Sequence, residues 1–229
     1  MTKFAIIVAG GSGTRMGSKT PKQFMLIGGK PILMHTIEKF LSYDFSLQVI
    51  LVLPANAMKM WYALCDKHQF YPPIMTVTGG NTRFQSVKNG LKRISSKEGV
   101  VAVHDGVRPF VTSEIIRKSF ETAQLHGAAV TCVPLKDSVR IMNEDGSNQA
   151  VNRSAYRLVQ TPQTFRLDWM RTAFEKEEQS TFTDCASVLD FAGYPITLVE
   201  GDYENIKITT SDDMLWAESI LLKQASTED

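Results

Sequence analysis

Near-continuous apolar runs alternate with stretches of helical periodicity along most of this chain. Residues 4–8 and 47–53 are apolar at almost every position, the pattern of parallel strands covered on both faces. Between them, residues 31–41 carry apolar side chains at 33, 34, 37, 40 and 41, the spacing of a helix with one buried face. Residues 58–70 read as a second helix and 74–78 as a third strand. This β-α-β-α-β order predicts an α/β fold with an open, mostly parallel sheet flanked by helices. Gly79 and Gly80 then repeat the arrangement of strand, glycines and helix up to Leu91.

The second half continues in the same style with one interruption. Residues 100–104 form an apolar strand that delivers Asp105 and then Arg108, with Pro109 as a stop. A helix over 113–125 opens on Thr112 or Ser113 as cap, with Glu114 in its first turn. A strand follows over 128–134. From 135 to 158 the pattern becomes alternating and polar around Asp145-Gly146, which predicts a hairpin with too few large apolar residues for a core of its own. Such an excursion, spanning 136–157 within one domain of 1–229, is either a lid or a dimerisation arm. Helices are then expected over 168–177 and over 183–193, the latter closed by Gly193. Strands follow over 196–199 and 205–209, and a last helix over 211–222 with Ser211 as cap.

Composition narrows the classes. A chain of 229 residues with 43% hydrophobic and 21% charged residues can bury an ordinary globular core. A net charge of +1 gives no electrostatic case for nucleic acid or an anionic membrane surface. No apolar run has the length of a membrane span, and the amino terminus enters a strand without the pattern of a signal peptide. The three cysteines, an odd number without a CxxC, point to buried thiols in a reducing compartment and give no metal-site spacing. The expectation is a cytoplasmic protein.

The candidate chemistry begins where the first strand ends. Gly10, Gly11 and Gly13 let the backbone turn its N–H donors toward a bound anion, and Arg15 and Lys22 follow within reach. The dinucleotide pattern fails because Met16 stands where its third glycine belongs and no acid closes the strand over 48–53. The Walker pattern fails because Ser18 separates Gly17 from Lys19. The stretch is therefore a phosphate cradle of another kind, or a glycine-rich turn beside two solvated cations. Asp105 at a strand end either caps a turn or holds a divalent cation that bridges phosphates, and Arg108 is a candidate ion-pair partner for it. His104 alternates with Asp105 and so points into the body of the protein. Ser86, early in its helix, either reads a base or ribose or simply belongs to a helix start. Lys207, between Ile206 and Ile208, either faces solvent or clamps a phosphate.

Six motifs occur in order: A-G-G-x-G-x-R-M…P-K-Q-F at 9–24, G-G-x-x-R-x-x-S-V-x-N-G-L at 79–91, V-H-D-x-x-R-P at 103–109, Q-T-P-Q at 160–163, T-D-x-A-S at 183–187 and G-D-x-x-N-I-K-I-T at 201–209. Together they make the chain resemble the 2-C-methyl-D-erythritol 4-phosphate cytidylyltransferases of the non-mevalonate isoprenoid pathway. The resemblance implies a Rossmann-like nucleotidyltransferase fold with a protruding β-hairpin arm, and transfer of CMP from CTP to a sugar-alcohol phosphate with release of pyrophosphate. It implies catalytic roles for Arg15, Lys22 and Lys207. It implies nucleotide binding by Ala9, Gly10, Gly11, Gly13, Thr14, Gly80, Asn81, Ser86 and Asp105. It further implies acceptor binding by Asp105, Arg108, Ser138, Arg153 and Thr183, with Mg²⁺ or another divalent cation at Asp105 held mainly through the CTP phosphates. The arm implies a homodimer in which Arg153 reaches the acceptor phosphate in the partner's site. Two departures bear on the acceptor: Asp137-Ser138-Val139-Arg140 replaces the usual Asp-Thr…Lys, and Asp105-Gly106-Val107-Arg108 replaces Asp-Ala-Ala-Arg. Ribitol-5-phosphate cytidylyltransferase is the alternative within the same chemistry, resembled at 104–110 and 30–40. A non-catalytic nucleotide-binding regulator is the alternative outside it, disfavoured by the presence of Arg15, Lys22 and Lys207.

Overall fold

The computed structural model describes residues 1–10 and 20–228. In its first half, β1 (Lys3–Val8) is followed by the short pair β2 (Leu26–Ile27) and β3 (Lys30–Pro31), then α1 (Ile32–Tyr43) and β4 (Gln48–Leu53). Next come α2 (Met58–His68), β5 (Met75–Thr78), α3 (Arg83–Leu91) and β6 (Val100–Asp105). The second half contains α4 (Ser113–His126), β7 (Ala128–Pro134), β8 (Arg140–Met142), β9 (Asn148–Ala150) and β10 (Arg157–Arg166). It ends with α5 (Leu167–Glu175), α6 (Cys185–Phe191), β11 (Leu198–Glu200) and α7 (Ser211–Glu228). Among the described residues no helix is long and apolar enough to cross a membrane.

Seven strands form one sheet in the order β11-β7-β10-β6-β1-β4-β5. Neighbouring strands are parallel except around β10, which runs antiparallel to both β6 and β7. Alternation along the strands builds a core on each face. In β1, Ala5 and Ile7 join α1, α2 and α4 on one side, while Phe4 and Ile6 join α3, α5 and α6 on the other. This is why the strand is apolar at nearly every position. A smaller cluster places Ile27, Ile32, Phe110 and Ile208 against Ala217 and Ile220 of α7.

Two expectations change. Residues 205–209 do not form a strand. Their backbone groups find other partners: Asn205 O accepts from Arg108 Nη1, and Ile208 N donates to Val107 O in a single isolated bond. Ile208 is nonetheless fully buried and Lys207 exposed, so the inward-outward contrast survives without the ladder. Ser211 is the first residue of α7 rather than its cap. The capping is done by Thr210, whose hydroxyl accepts from Asp213 N, while the Asp213 carboxylate accepts from the amides of Thr209 and Thr210.

Between β7 and β10 lies the excursion, a two-stranded antiparallel ladder of β8 and β9 turned at Gly146, with every residue of both strands exposed. β10 contains a register shift between Val159 and Gln163, where Thr161-Pro162 is a cis peptide.

Candidate active site

Chain order in the sheet decides where a ligand fits. From β1 the chain passes outward through β4 to β5, then returns to place β6 on the other side of β1. The carboxyl ends of β1 and β6 therefore flank a switch point, where the following loops diverge and leave a crevice. Val8 and Asp105 are register partners there. A cleft of about 290 Å³ opens at this point, walled by Ala9 and Gly10 after β1, by Lys22 and Gln23, by Gly80, Asn81, Arg83 and Ser86 at the start of α3, and by Asp105 and Lys207. Gly11, Gly13, Thr14 and Arg15 lie outside the described residues.

Strand alternation also separates the roles of His104 and Asp105. His104 projects toward α1, its ring edge-on to Phe40 at 4.9 Å, and is fully buried. Asp105 projects to the opposite face, toward α3 and α6. The imidazole is locked into one neutral tautomer: Nε2–H donates to Arg108 O and Nδ1 accepts from the Thr161 hydroxyl, which in turn accepts from Asp105 N. Burial lowers the His104 pKa to about 4, ahead of the opposing effect of its bond to Arg108 O, so the ring is uncharged at neutral pH. It is a strut beneath Asp105, as its alternation in the sequence predicts.

Among the described residues, three cations surround the Asp105 carboxylate. Lys207 Nζ is 2.9 Å and Arg108 Nε 3.5 Å from Oδ2, and Arg83 Nη2 is 3.9 Å from Oδ1. Burial by itself raises the carboxyl pKa, but Arg83, Lys207 and Arg108 together outweigh it and hold Asp105 well below the usual carboxylate range. Arg108 is itself buried and spends Nη1 on Asn205 O at 2.7 Å, so it is a fixed partner. The Lys207 side chain is 42% exposed and is the cation best placed to exchange its carboxylate for a bound phosphate.

The walls are shaped by side chains holding backbone. Ser86, buried at the second turn of α3, accepts from Gly80 N at 3.1 Å and so fixes the glycine turn. Asn81 N donates to Gln85 Oε1, and Thr82 caps the helix by accepting from Gln85 N. Gln23 Nε2 donates to Ala9 O at 3.0 Å, pinning the start of the glycine stretch to the turn at Lys22–Phe24.

The residues expected to take the acceptor are only partly gathered. Arg108 stands beside Asp105, and Thr183 immediately precedes Asp184, the cap of α6. Ser138 and Arg153 lie exposed on the excursion and are not part of the cleft wall; the Arg153 guanidinium donates to Lys136 O. Arg83 and Gln163 stand in the motifs at 79–91 and 160–163, but the sequence assigns neither a role. A signal for Arg83 was present: a cation in the first turn of a helix opposes the dipole, which marks a residue held there by something else.

Among the described residues no group of three or more His, Cys, Asp and Glu side chains could hold a metal. Asp105 is the one carboxylate among the described residues of the cleft wall. A single hard oxygen donor suits Mg²⁺ coordinated mostly by phosphate oxygens and water.

The family model of IspD, 2-C-methyl-D-erythritol 4-phosphate cytidylyltransferase, matches residues 3–223. The 2-C-methyl-D-erythritol 4-phosphate cytidylyltransferase of Bacteroides thetaiotaomicron is 48% identical over 221 residues, covering 96% of this chain and 100% of the relative. That of Bacillus velezensis is 41% identical over 224 residues, covering 96% of each. Among solved structures, 4-diphosphocytidyl-2C-methyl-D-erythritol synthase from Anaerococcus prevotii superposes with a TM-score of 0.82 at 29% identity, covering 96% of this chain and 98% of that one. A model match over nearly the whole chain, full-length relatives and a shared fold place this chain in the 2-C-methyl-D-erythritol 4-phosphate cytidylyltransferase family.

Proposed function

We propose that this chain transfers CMP from CTP to 2-C-methyl-D-erythritol 4-phosphate, giving 4-diphosphocytidyl-2-C-methyl-D-erythritol and pyrophosphate in isoprenoid precursor biosynthesis. The observation that carries the reading is the convergence of Lys22, Asp105 and Lys207 with two glycine-bearing walls on one cleft at the sheet's switch point. The cytosine would lie against Gly80, Asn81 and Ser86, and the triphosphate against the stretch from Ala9 to Thr14.

An oxygen of the acceptor phosphate attacks the α-phosphorus in line; the new P–O bond forms as the bond to the β-phosphate oxygen breaks. Both nucleophile and leaving group are already anionic, so positioning and charge stabilisation do the work. Arg15 and Lys22 neutralise charge developing on the α-phosphate, and Lys207 turns from Asp105 to the phosphates. Mg²⁺, held at Asp105 and chiefly by the CTP phosphates, would supply charge neutralisation and draw the triphosphate into one shape. Asp105 and Arg108 face the acceptor together with Thr183. Ser138 and Arg153 would join them from the arm over 136–157 of a second protomer, which makes the working enzyme a homodimer.

Pyrophosphate release from CTP and Mg²⁺, measured with 2-C-methyl-D-erythritol 4-phosphate and with ribitol 5-phosphate in parallel, tests the reading. Turnover with the first substrate alone is expected. Turnover with the second alone would keep the nucleotide chemistry and reassign the acceptor; CTP binding with no turnover on either would favour the regulator.

A further inference from the structure

Arg83 is the one cation in contact with Asp105 that the reading above gives no task. It stands at the first position of α3, where its charge opposes the helix dipole, and its half-buried guanidinium has two contacts. Nη1 donates to Cys185 Sγ at 3.1 Å, and Nη2 lies 3.9 Å from Asp105 Oδ1.

The Cys185 end of this bridge is rigid. Cys185 is the first residue of α6 and is fully buried, and burial pushes its thiol pKa up, so the sulfur accepts as a neutral thiol. Its backbone is held from β10: Gln163 Oε1 accepts from the amides of Cys185 and Ala186 at 3.0 and 3.2 Å, while Gln163 Nε2 donates to Asp184 Oδ2 at 2.8 Å. Asp184 and Ser187 close a reciprocal capping box on the same turn. Residues 102 apart in sequence are thereby joined.

The carboxylate end divides unequally. Among the described residues Arg108 and Lys207 approach the carboxylate at Oδ2, and Arg83 approaches it at Oδ1. When Lys207 leaves for a phosphate, Arg108 retains Oδ2 from its anchor on Asn205 O, and Arg83, on the other oxygen, opposes rotation of the carboxylate away from Oδ1. We infer that Arg83 is a positioning residue, its planar guanidinium bridging the fixed amino end of α6 to Asp105 Oδ1 and holding the carboxylate in the orientation the nucleotide site uses. This rests on the reading of the cleft as a CTP site. A lysine would keep the charge but, as a point donor on a flexible stem, cannot span both contacts.

The test is a double-mutant cycle on the full chain with Arg83→Met, which keeps the aliphatic stem, and Asp105→Asn. CTP affinity is read by calorimetry, the CTP KM and kcat by pyrophosphate release, and Tm by calorimetric scan. If Arg83 acts through Asp105, Arg83→Met weakens CTP binding about tenfold or more, mainly in KM, in the wild-type background and less than about threefold when Asp105 is Asn. Arg83→Lys should recover less than half of the loss on a logarithmic scale. Equal losses in both backgrounds, or full recovery by lysine, would overturn the bridge while leaving the CTP site standing. A wild-type chain that binds no CTP would reject the site itself and the inference with it.

Discussion

At the scale of single residues, the site depends on charges whose neighbours decide what they can do. Lys22 lines the cleft, and Arg15, outside the described residues, lies five positions in the sequence after Gly10, which also lines it. Removing a preorganised donor from a developing charge typically costs 10²–10³ in kcat, so Lys22→Ala and Arg15→Ala are each expected to lower kcat by about a hundredfold or more. Steady-state kinetics at saturating CTP would show this; a loss below about tenfold would remove that residue from the transition state. His104 makes a separate, pH-dependent demand. Its folded pKa of about 4 lies below the ordinary 6.5, so the unfolded chain binds the proton first as pH falls. Stability is then complete above about pH 6.5 and lost progressively down to about pH 4, by about 3 kcal/mol in total. His35, also lowered chiefly by burial, acts with the same sign. Denaturant midpoints measured from pH 7 to 4.5 should fall for the wild type and fall less steeply for His104→Gln; parallel slopes would show that His104 does not titrate in this window.

Elements were legible to the degree that their signal was local. The apolar run at 4–8 and the spacing at 31–41 each announced an element because burial on one or both faces dictates which positions are apolar. Residues 205–209 misled because inward-outward alternation is shared by a strand and by any extended segment laid on a core. What decided between them was Arg108, a side chain distant in sequence, taking Asn205 O. Arg83 and Gln163, letters of two motifs, carry no legible role for the same reason: their partners are set by how α3, α6 and β10 meet. The glycine turn before α3 has a steric cause in the structure. A Cβ on Gly80 would sit 2.4 Å from Gln85 Cβ, so an alanine there must push the turn off the helix and break the Gly80 N–Ser86 Oγ bond. Gly80→Ala should therefore raise the CTP KM by about tenfold or more with kcat less affected, while overpacking costs about 1–3 kcal/mol of stability. An unchanged KM would mean that this wall does not touch the nucleotide.

At the scale of the whole molecule, the cleft and the excursion stand apart within one protomer. The arm's strands are fully exposed, its Ile141 and Met142 are uncovered, and Arg153 is not part of the cleft wall of its own protomer. A hairpin of so few apolar contacts gains little by protruding unless its half-apolar face and its basic residues are used elsewhere. If two arms clasp, each carries Ser138 and Arg153 into the neighbour's site, and each site draws Lys22 from one protomer and Arg153 from the other. The consequence is complementation. Arg153→Glu should raise the acceptor KM with little change in that for CTP, and Lys22→Ala should be nearly inactive. In a heterodimer of the two variants, one site holds both lesions and the other holds neither, so mixing nearly inactive preparations restores up to half of the wild-type activity per dimer formed. The mixed sample must be assayed at low acceptor concentration, where Arg153→Glu homodimers are slow, and after subunit exchange has been allowed. Activity no greater than the sum of the separate variants, in a mixture shown by differential tagging to contain heterodimers, would mean that each protomer completes its own site, and that the arm works as a lid rather than as a donated part.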